Sequence, residues 1–161
     1  SGFPSNLTEV KFKDQTLTLF RPDPGDFASY NGKTIVLQTL QNTYYGWHSY
    51  SMPNIQIHDD ATNIQWHRRQ FVIDTGGVIY AKQYTNTIVY CDNNENITLV
   101  NKSSINSSDI GYYWKLSGNV IYSQKYPDKC IMVESIGNEV PLKLKPYVDN
   151  NLYKWNIVVV E

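Results

Sequence analysis

Alanine is nearly missing from these 161 residues, and with it goes the best helix former. No segment of useful length repeats its apolar residues at helical spacing, so helical architectures are the first to be excluded. An excess of charge is missing too. Fourteen Lys and Arg against fifteen Asp and Glu leave a formal charge of -1 and a pI near 6.3. No basic run exceeds Arg68-Arg69. Nucleic acid and acidic membrane surfaces therefore have no electrostatic claim as partners. Apolar stretches stay far short of a membrane span, and Val158-Val159-Val160 reads as a final core strand. Ser1-Gly2-Phe3-Pro4 has no charged-then-apolar pattern, so a targeting peptide is expected to be absent or already removed.

Two cysteines are too few for a disulfide scaffold, and no CxxC occurs. Cys91 and Cys130 are expected as half-buried thiols on strands, with their pairing left open. His48, His58 and His67 show no metal-ligand spacing, and no metal or cofactor is expected. Nucleophile-elbow, P-loop and dinucleotide motifs are absent as well. Binding without turnover is the expectation, and the chain is not read as an enzyme.

What is present points to β-structure. Thirteen tyrosines, four tryptophans and many Val, Ile and Thr stand among Asn, Asp, Gly and Ser turn residues. The second half also repeats itself. Gly77-Val78-Ile79-Tyr80 recurs as Asn119-Val120-Ile121-Tyr122, and Tyr113-Trp114-Lys115-Leu116 is echoed by Lys154-Trp155-Asn156-Ile157. A more diverged copy runs from Asn31-Gly32-Lys33-Thr34 to Ile64-Gln65-Trp66-His67. Trp66, Trp114 and Trp155 thus close three units of about forty residues, and their recurrence assigns all three to the core.

Each unit divides into four short strands, twelve in all, enough to close a β-structure without a long exposed edge. In the third unit Leu142 and Leu144 should face inward and the lysines between and beyond them water. Residues 1–26 are read as an N-terminal arm packing on the body, with an alternating segment over residues 10–20 and a Pro/Gly break after it. The repeats fall at about 27–73, 74–116 and 117–161. Sequons at Asn6, Asn96, Asn101 and Asn106 hint at a secretory route, three of them in one polar surface loop.

This pattern resembles the β-trefoil of the ricin-B-type lectin modules, whose repeats open on a glycine-led strand and end near a Gln-x-Trp motif. The resemblance covers residues 27–161 and implies an all-β trefoil of three four-stranded repeats. It departs at the motif itself: Ile64-Gln65 precede Trp66, Tyr112-Tyr113 precede Trp114, and Tyr153-Lys154 precede Trp155. The family's sugar-binding aspartate matches Trp47, Tyr90 and Met132, none of them a carboxylate. Its asparagine three residues before the tryptophan survives as Asn63. Trefoils also serve as inhibitors, cytokines and toxin receptor-binding domains.

Ligand contacts are expected first in Tyr44-Tyr45-Gly46-Trp47-His48-Ser49-Tyr50, with His58, Asp59 and Asn63 close by. Strict alternation would leave about half of that cluster facing solvent, against the simpler reading that it packs the core. Asp92 in the second repeat and Glu134 in the third offer further acceptors. Tyr45, Trp47, His48, His58, Asp59, Asn63, Asp92 and Glu134 form the candidate set. The function expected is a carbohydrate-binding cell-attachment module, part of a toxin or surface protein, secreted or surface-exposed. Its partner would be a cell-surface glycan or glycoprotein, without nucleic acid or membrane insertion, and the chain would belong to a larger assembly. The alternative is a protein-binding trefoil, either an inhibitor or a viral or bacterial attachment head.

Overall fold

The computed structural model describes residues 7–12 and 15–161, with side chains from Leu19 onward. The Asn6 sequon and residues 1–4 lie outside the described residues, as do most side chains of the alternating N-terminal segment. β1 (Leu7–Phe12) and β2 (Gln15–Phe20) pair as an antiparallel hairpin. The first lobe then holds β3 (Thr34–Thr39), β4 (Gly46–His48), β5 (Gln56–His58) and β6 (Gln70–Asp74). The second holds β7 (Val78–Ala81), β8 (Thr87–Cys91), β9 (Ile97–Asn101) and β10 (Trp114–Ser117). The third holds β11 (Val120–Ser123), β12 (Lys129–Met132), β13 (Val140–Pro141), β14 (Lys143–Pro146) and β15 (Trp155–Val159). Among the described residues the only helical elements are four short 3-10 turns. β15 returns to pair with β3, which joins the last lobe to the first.

Register makes the three lobes superimposable. Trp114 lies opposite Ser123 and Leu116 opposite Ile121; Trp155 lies opposite Thr39 and Ile157 opposite Leu37. In the first lobe the same rungs are Phe71 opposite Ala81 and Ile73 opposite Ile79. Phe71 therefore holds the slot of Trp114 and Trp155, and all three rings are fully buried. The expectation that Trp66 is the first core tryptophan is corrected: it is 45% exposed, in the turn that precedes β6.

A second tryptophan makes the smaller ring workable. Trp47 is fully buried and meets Phe71 and Trp155 edge-on, each at 5.6 Å between centroids. Its rung, Trp47 opposite Ile57, corresponds to Val89 opposite Leu99 and Ile131 opposite Leu144. The first lobe thus combines Trp47 with Phe71 where the others combine Val89 with Trp114 and Ile131 with Trp155. The smaller ring at Phe71 is offset by the larger one at Trp47, but the hydrogen bonding is not conserved. The Trp114 and Trp155 indoles donate to the Val89 and Ile131 carbonyls at 2.9 and 3.1 Å, whereas the buried Trp47 Nε1 has no partner.

Leu142 and Leu144 are buried and Lys143 and Lys145 exposed, as alternation predicts. Cys91 and Cys130 are free thiols and fully buried, more so than expected, and burial pushes each up to about 12. Val159, read as core, is 46% exposed at the end of β15. Residues 23–27 are tied to the second and third lobes. The Leu116 amide donates to the Pro24 carbonyl, the Gly118 amide donates to Asp26, Lys115 pairs with Asp23, and Phe27 is buried in the core. Gly77 is required where β7 meets β10, because a Cβ there would stand 1.8 Å from the Trp114 carbonyl oxygen at φ 89°.

Trp47→Ala is expected to cost about 3–5 kcal/mol, and Trp66→Ala to stay within about 0.5 kcal/mol, in urea unfolding. Equal losses at the two positions would contradict this register.

Candidate functional site

β4 is buried on both faces, so the expected half-outward pattern fails between Gly46 and Ser49. Only the ends of the aromatic run reach solvent, with Tyr44 47% and Tyr50 56% exposed. The cover over the second face is Arg69. Its side chain is fully buried and donates to the carbonyls of Gly46 (3.3 Å), His58 (3.1 Å) and Asp59. Burial lowers its pKa, and Asp60 and Asp59 oppose that shift. Carbonyl dipoles satisfy its two terminal nitrogens, which makes the buried guanidinium tolerable, while its Nε has no partner.

His48 lies beside it. The Tyr50 amide donates to its Nδ1 at 3.3 Å, which places the proton of the neutral ring on Nε2. The ring stacks on His58 with centroids 5.0 Å apart. Burial first, then Arg69, His58 and Arg68, bring the His48 pKa down to about 4, against a weaker opposite pull from Asp59. His58 Nδ1 sits 3.0 Å from Asp59 Oδ1, and Asn138 of the third lobe bonds the Asp59 amide at 2.8 Å and its Oδ2 at 3.4 Å. His48, His58 and Asp59 are therefore brought together, His48 buried and the other two partly exposed.

The adjoining surface is aromatic and cationic. The Arg68 guanidinium lies 4.1 Å from the centroid of the Tyr50 ring and 6.0 Å from that of Trp66. The Ser49 amide and hydroxyl both donate to the Arg68 carbonyl, at 2.9 and 3.2 Å. Equivalent bonds run from the Cys91 amide to Gly111 and from the Val133 amide to Leu152. Ser49, Cys91 and Val133 thus correspond, as do Arg68, Gly111 and Leu152. Tyr50, Asp92 and Glu134 then occupy one position, once per lobe.

The same correspondence corrects two sequence matches, Trp47 and Asn63. The position of Tyr90 and Met132 is filled in the first lobe by His48, because His48 pairs with Gln56 as Tyr90 pairs with Thr98 and Met132 with Lys143. Trp47, a core residue, offers no surface to a ligand. The residue three before the core ring is Arg68, and Asn63 sits in an earlier turn, its amide bonded to the Asp60 carbonyl. Tyr45 is half-buried and packs against the core. Asp92 Oδ1 accepts from the Asn94 and Asn96 amides, closing a turn, while Glu134 is exposed.

The alternation argument missed Tyr50, Trp66 and Arg68 as one group. A signal was available in spacing. Trp114 stands six residues before Val120 and Phe71 seven before Val78, whereas Trp66 stands twelve before it.

Two other polar regions stand out. Asp109 accepts from Tyr90 (2.5 Å) and from the Gly111 amide (2.8 Å), beside Lys125 at 3.5 Å. Burial opposes its ionisation, yet these three groups together hold its pKa below the usual value. Between the second and third lobes, a cleft of about 460 Å³ is lined by Asn94, Glu95, Asn96, Lys129, Lys143 and Lys145, among others. Lys129 pairs there with Glu95. Among the described residues no three His, Cys, Asp or Glu side chains converge on a metal position, and no helix is long and apolar enough to cross a membrane.

The sequence matches no protein-family model and no curated protein. Solved structures do share its fold. The C-terminal half of the earthworm R-type lectin, solved in complex with GalNAc, matches with a TM-score of 0.62 at 16% identity, over 79% of this chain and 98% of that one. Agglutinin from Abrus precatorius matches at 0.66 and 17% identity, over 80% of this chain and 48% of that one. A mosquitocidal holotoxin matches at 0.65 and 13% identity, over 78% of this chain and 17% of its own. The chain thus corresponds to about half of the agglutinin and a sixth of the holotoxin. Its fold is the β-trefoil, the fold of R-type lectin domains.

Acid is expected to weaken the fold through His48. The unfolded imidazole takes up a proton near pH 6.5 and the folded one only near pH 4. Stability should therefore fall between those values, on the order of 1.4 kcal/mol per pH unit, and level off below. His48→Asn should flatten this slope in urea midpoints measured at pH 7 and pH 4.5. An unchanged slope would contradict the assignment.

Proposed function

We propose that the chain is a carbohydrate-binding, lectin-like attachment module that seats a cell-surface glycan or glycoprotein on its first lobe. One observation carries this reading: the exposed Tyr50 and Trp66 rings both meet the Arg68 guanidinium, and Tyr50 adjoins the His48 ring. An aromatic face suits the C–H face of a sugar ring, and a guanidinium supplies donors to its oxygens. The GalNAc complex of the earthworm lectin and the toxin context of the holotoxin support the class and setting of the ligand. Within this reading His58 and Asp59 edge the site, Asp92 and Glu134 mark the equivalent places on the other lobes, and Tyr45, Trp47 and Asn63 take no part.

The module acts without turnover and without a cofactor, outside the cell or on its surface, as one part of a larger assembly. The short span that the chain covers in the agglutinin and the holotoxin supports that last point. Weak single sites would gain strength through copies in the assembly. A protein-binding head is the second reading, because Tyr, Trp and Arg are also the residues that anchor protein interfaces.

A glycan array probed with multivalently displayed chain tests the first reading. Trp66→Ala is expected to lower binding roughly tenfold or more while leaving the urea midpoint in place. Binding that survives would move the site off the first lobe. A blank array, with capture of a receptor from which glycans have been stripped, would favour the protein-binding head.

A further inference from the structure

We infer that the first-lobe site selects saccharides bearing a carboxylate, such as a sialic or uronic acid, with Arg68 as the group that recognises it. The inference rests on the glycan reading above and adds the chemical class of the ligand.

Arg68 is held ready for a ligand. Its backbone carbonyl is fixed by two donors from Ser49, and its guanidinium is placed by the Tyr50 and Trp66 rings. Among the described residues it makes no ion pair and donates no side-chain hydrogen bond, whereas Lys82, Lys115, Lys125, Lys129 and Lys154 each meet a carboxylate. Stacking on a ring engages the face of a guanidinium and leaves its N–H edge open. That edge matches a planar carboxylate in a two-pronged geometry that an ammonium cannot offer.

The neighbourhood favours an anion as well. Arg69 brings a second positive charge beside Arg68 in the chain, its two terminal nitrogens bonded to carbonyl oxygens and to no carboxylate. The acids that act on Arg69 are Asp60 and Asp59, and Asp59 is engaged by His58 and Asn138. A neutral sugar could use the aromatic faces but would leave the fork unpaired. The carboxylate-bearing ring fills both, apolar face on Trp66 or Tyr50 and carboxylate on Arg68.

The test measures binding of sialyllactose, of lactose and of a glucuronic-acid-terminated oligosaccharide by the purified chain at low and at physiological salt. At least one acidic probe is expected to bind roughly tenfold or more above lactose, with the preference reduced by salt. Which acidic probe wins identifies the source of the carboxylate. Arg68→Gln should bring acidic binding down to the lactose level. Arg68→Lys, which keeps the charge and loses the fork, should restore only part of it. Arg68 fixes the backbone through its carbonyl, so neither change should move the urea midpoint.

Equal binding of lactose and the acidic probes, unchanged in Arg68→Gln but lost in Trp66→Ala, would overturn the inference and leave the glycan reading standing. Absence of binding to all three, together with a blank array, would remove both. A preference that survives Arg68→Gln and disappears in Lys143→Glu/Lys145→Glu would overturn it by moving the acid to the cleft between the second and third lobes.

Discussion

The first lobe is organised around a cation that never reaches water. Arg69 donates to the carbonyls of Gly46, His58 and Asp59, so one side chain ties the start of β4 to the end of β5. Burying a guanidinium is costly unless its donors find partners, and these three carbonyls supply them for its terminal nitrogens. Arg69 and Gln70 are both buried, whereas Arg68 is half-buried and Trp66 exposed. The Arg68 guanidinium meets the Tyr50 and Trp66 rings there. Burial first, and the inward Arg69 cation second, keep His48 neutral near neutral pH.

Three lobes built on one plan have diverged where the plan permits. The inward rungs, Trp47 with Ile57, Val89 with Leu99 and Ile131 with Leu144, share one core and must together conserve volume. The first lobe carries Trp47 where the others have Val89 and Ile131, and Phe71 where they have Trp114 and Trp155, which leaves one buried indole N–H without a partner. Outside the core the equivalent positions are unconstrained. Tyr50, Asp92 and Glu134 correspond, as do Arg68, Gly111 and Leu152, and only the first lobe combines an exposed ring with a fork of donors. The lobes are alike as structure and unlike as surface.

Much of this was legible in the residues. Repeat spacing, the alternation at Leu142 and Leu144, and the glycine-led strands Val78–Ala81 and Val120–Ser123 all register backbone and core constraints, which act locally and leave a period. The first-lobe register was misread for a physical reason. Trp66 carries the residue type of Trp114 and Trp155, but the core slot lies five residues later at Phe71, and only the compensating Trp47 makes that substitution sensible. Alternation also failed along β4, because it assumes one wet face and Arg69 covers that face from the 3-10 turn before β6. His48, His58 and Asp59 were foreseen as neighbours. The grouping of Tyr50, Arg68 and Trp66 was not, since it depends on a bond between Ser49 and Arg68 that no local pattern encodes.

The account turns on the outer face of the first lobe being the surface that meets the ligand. The four tryptophans provide a direct readout, because their indole N–H resonances are separable in a ¹⁵N-labelled sample and only Trp66 is exposed. Titration with an oligosaccharide that the chain binds should shift the Trp66 indole and the amides of Tyr50 and Arg68. Trp47, Trp114 and Trp155 should hold still. Shifts confined to the amides of Asn94, Asn96, Lys143 and Lys145, with the Trp66 indole unmoved, would contradict the account and place the ligand between the second and third lobes.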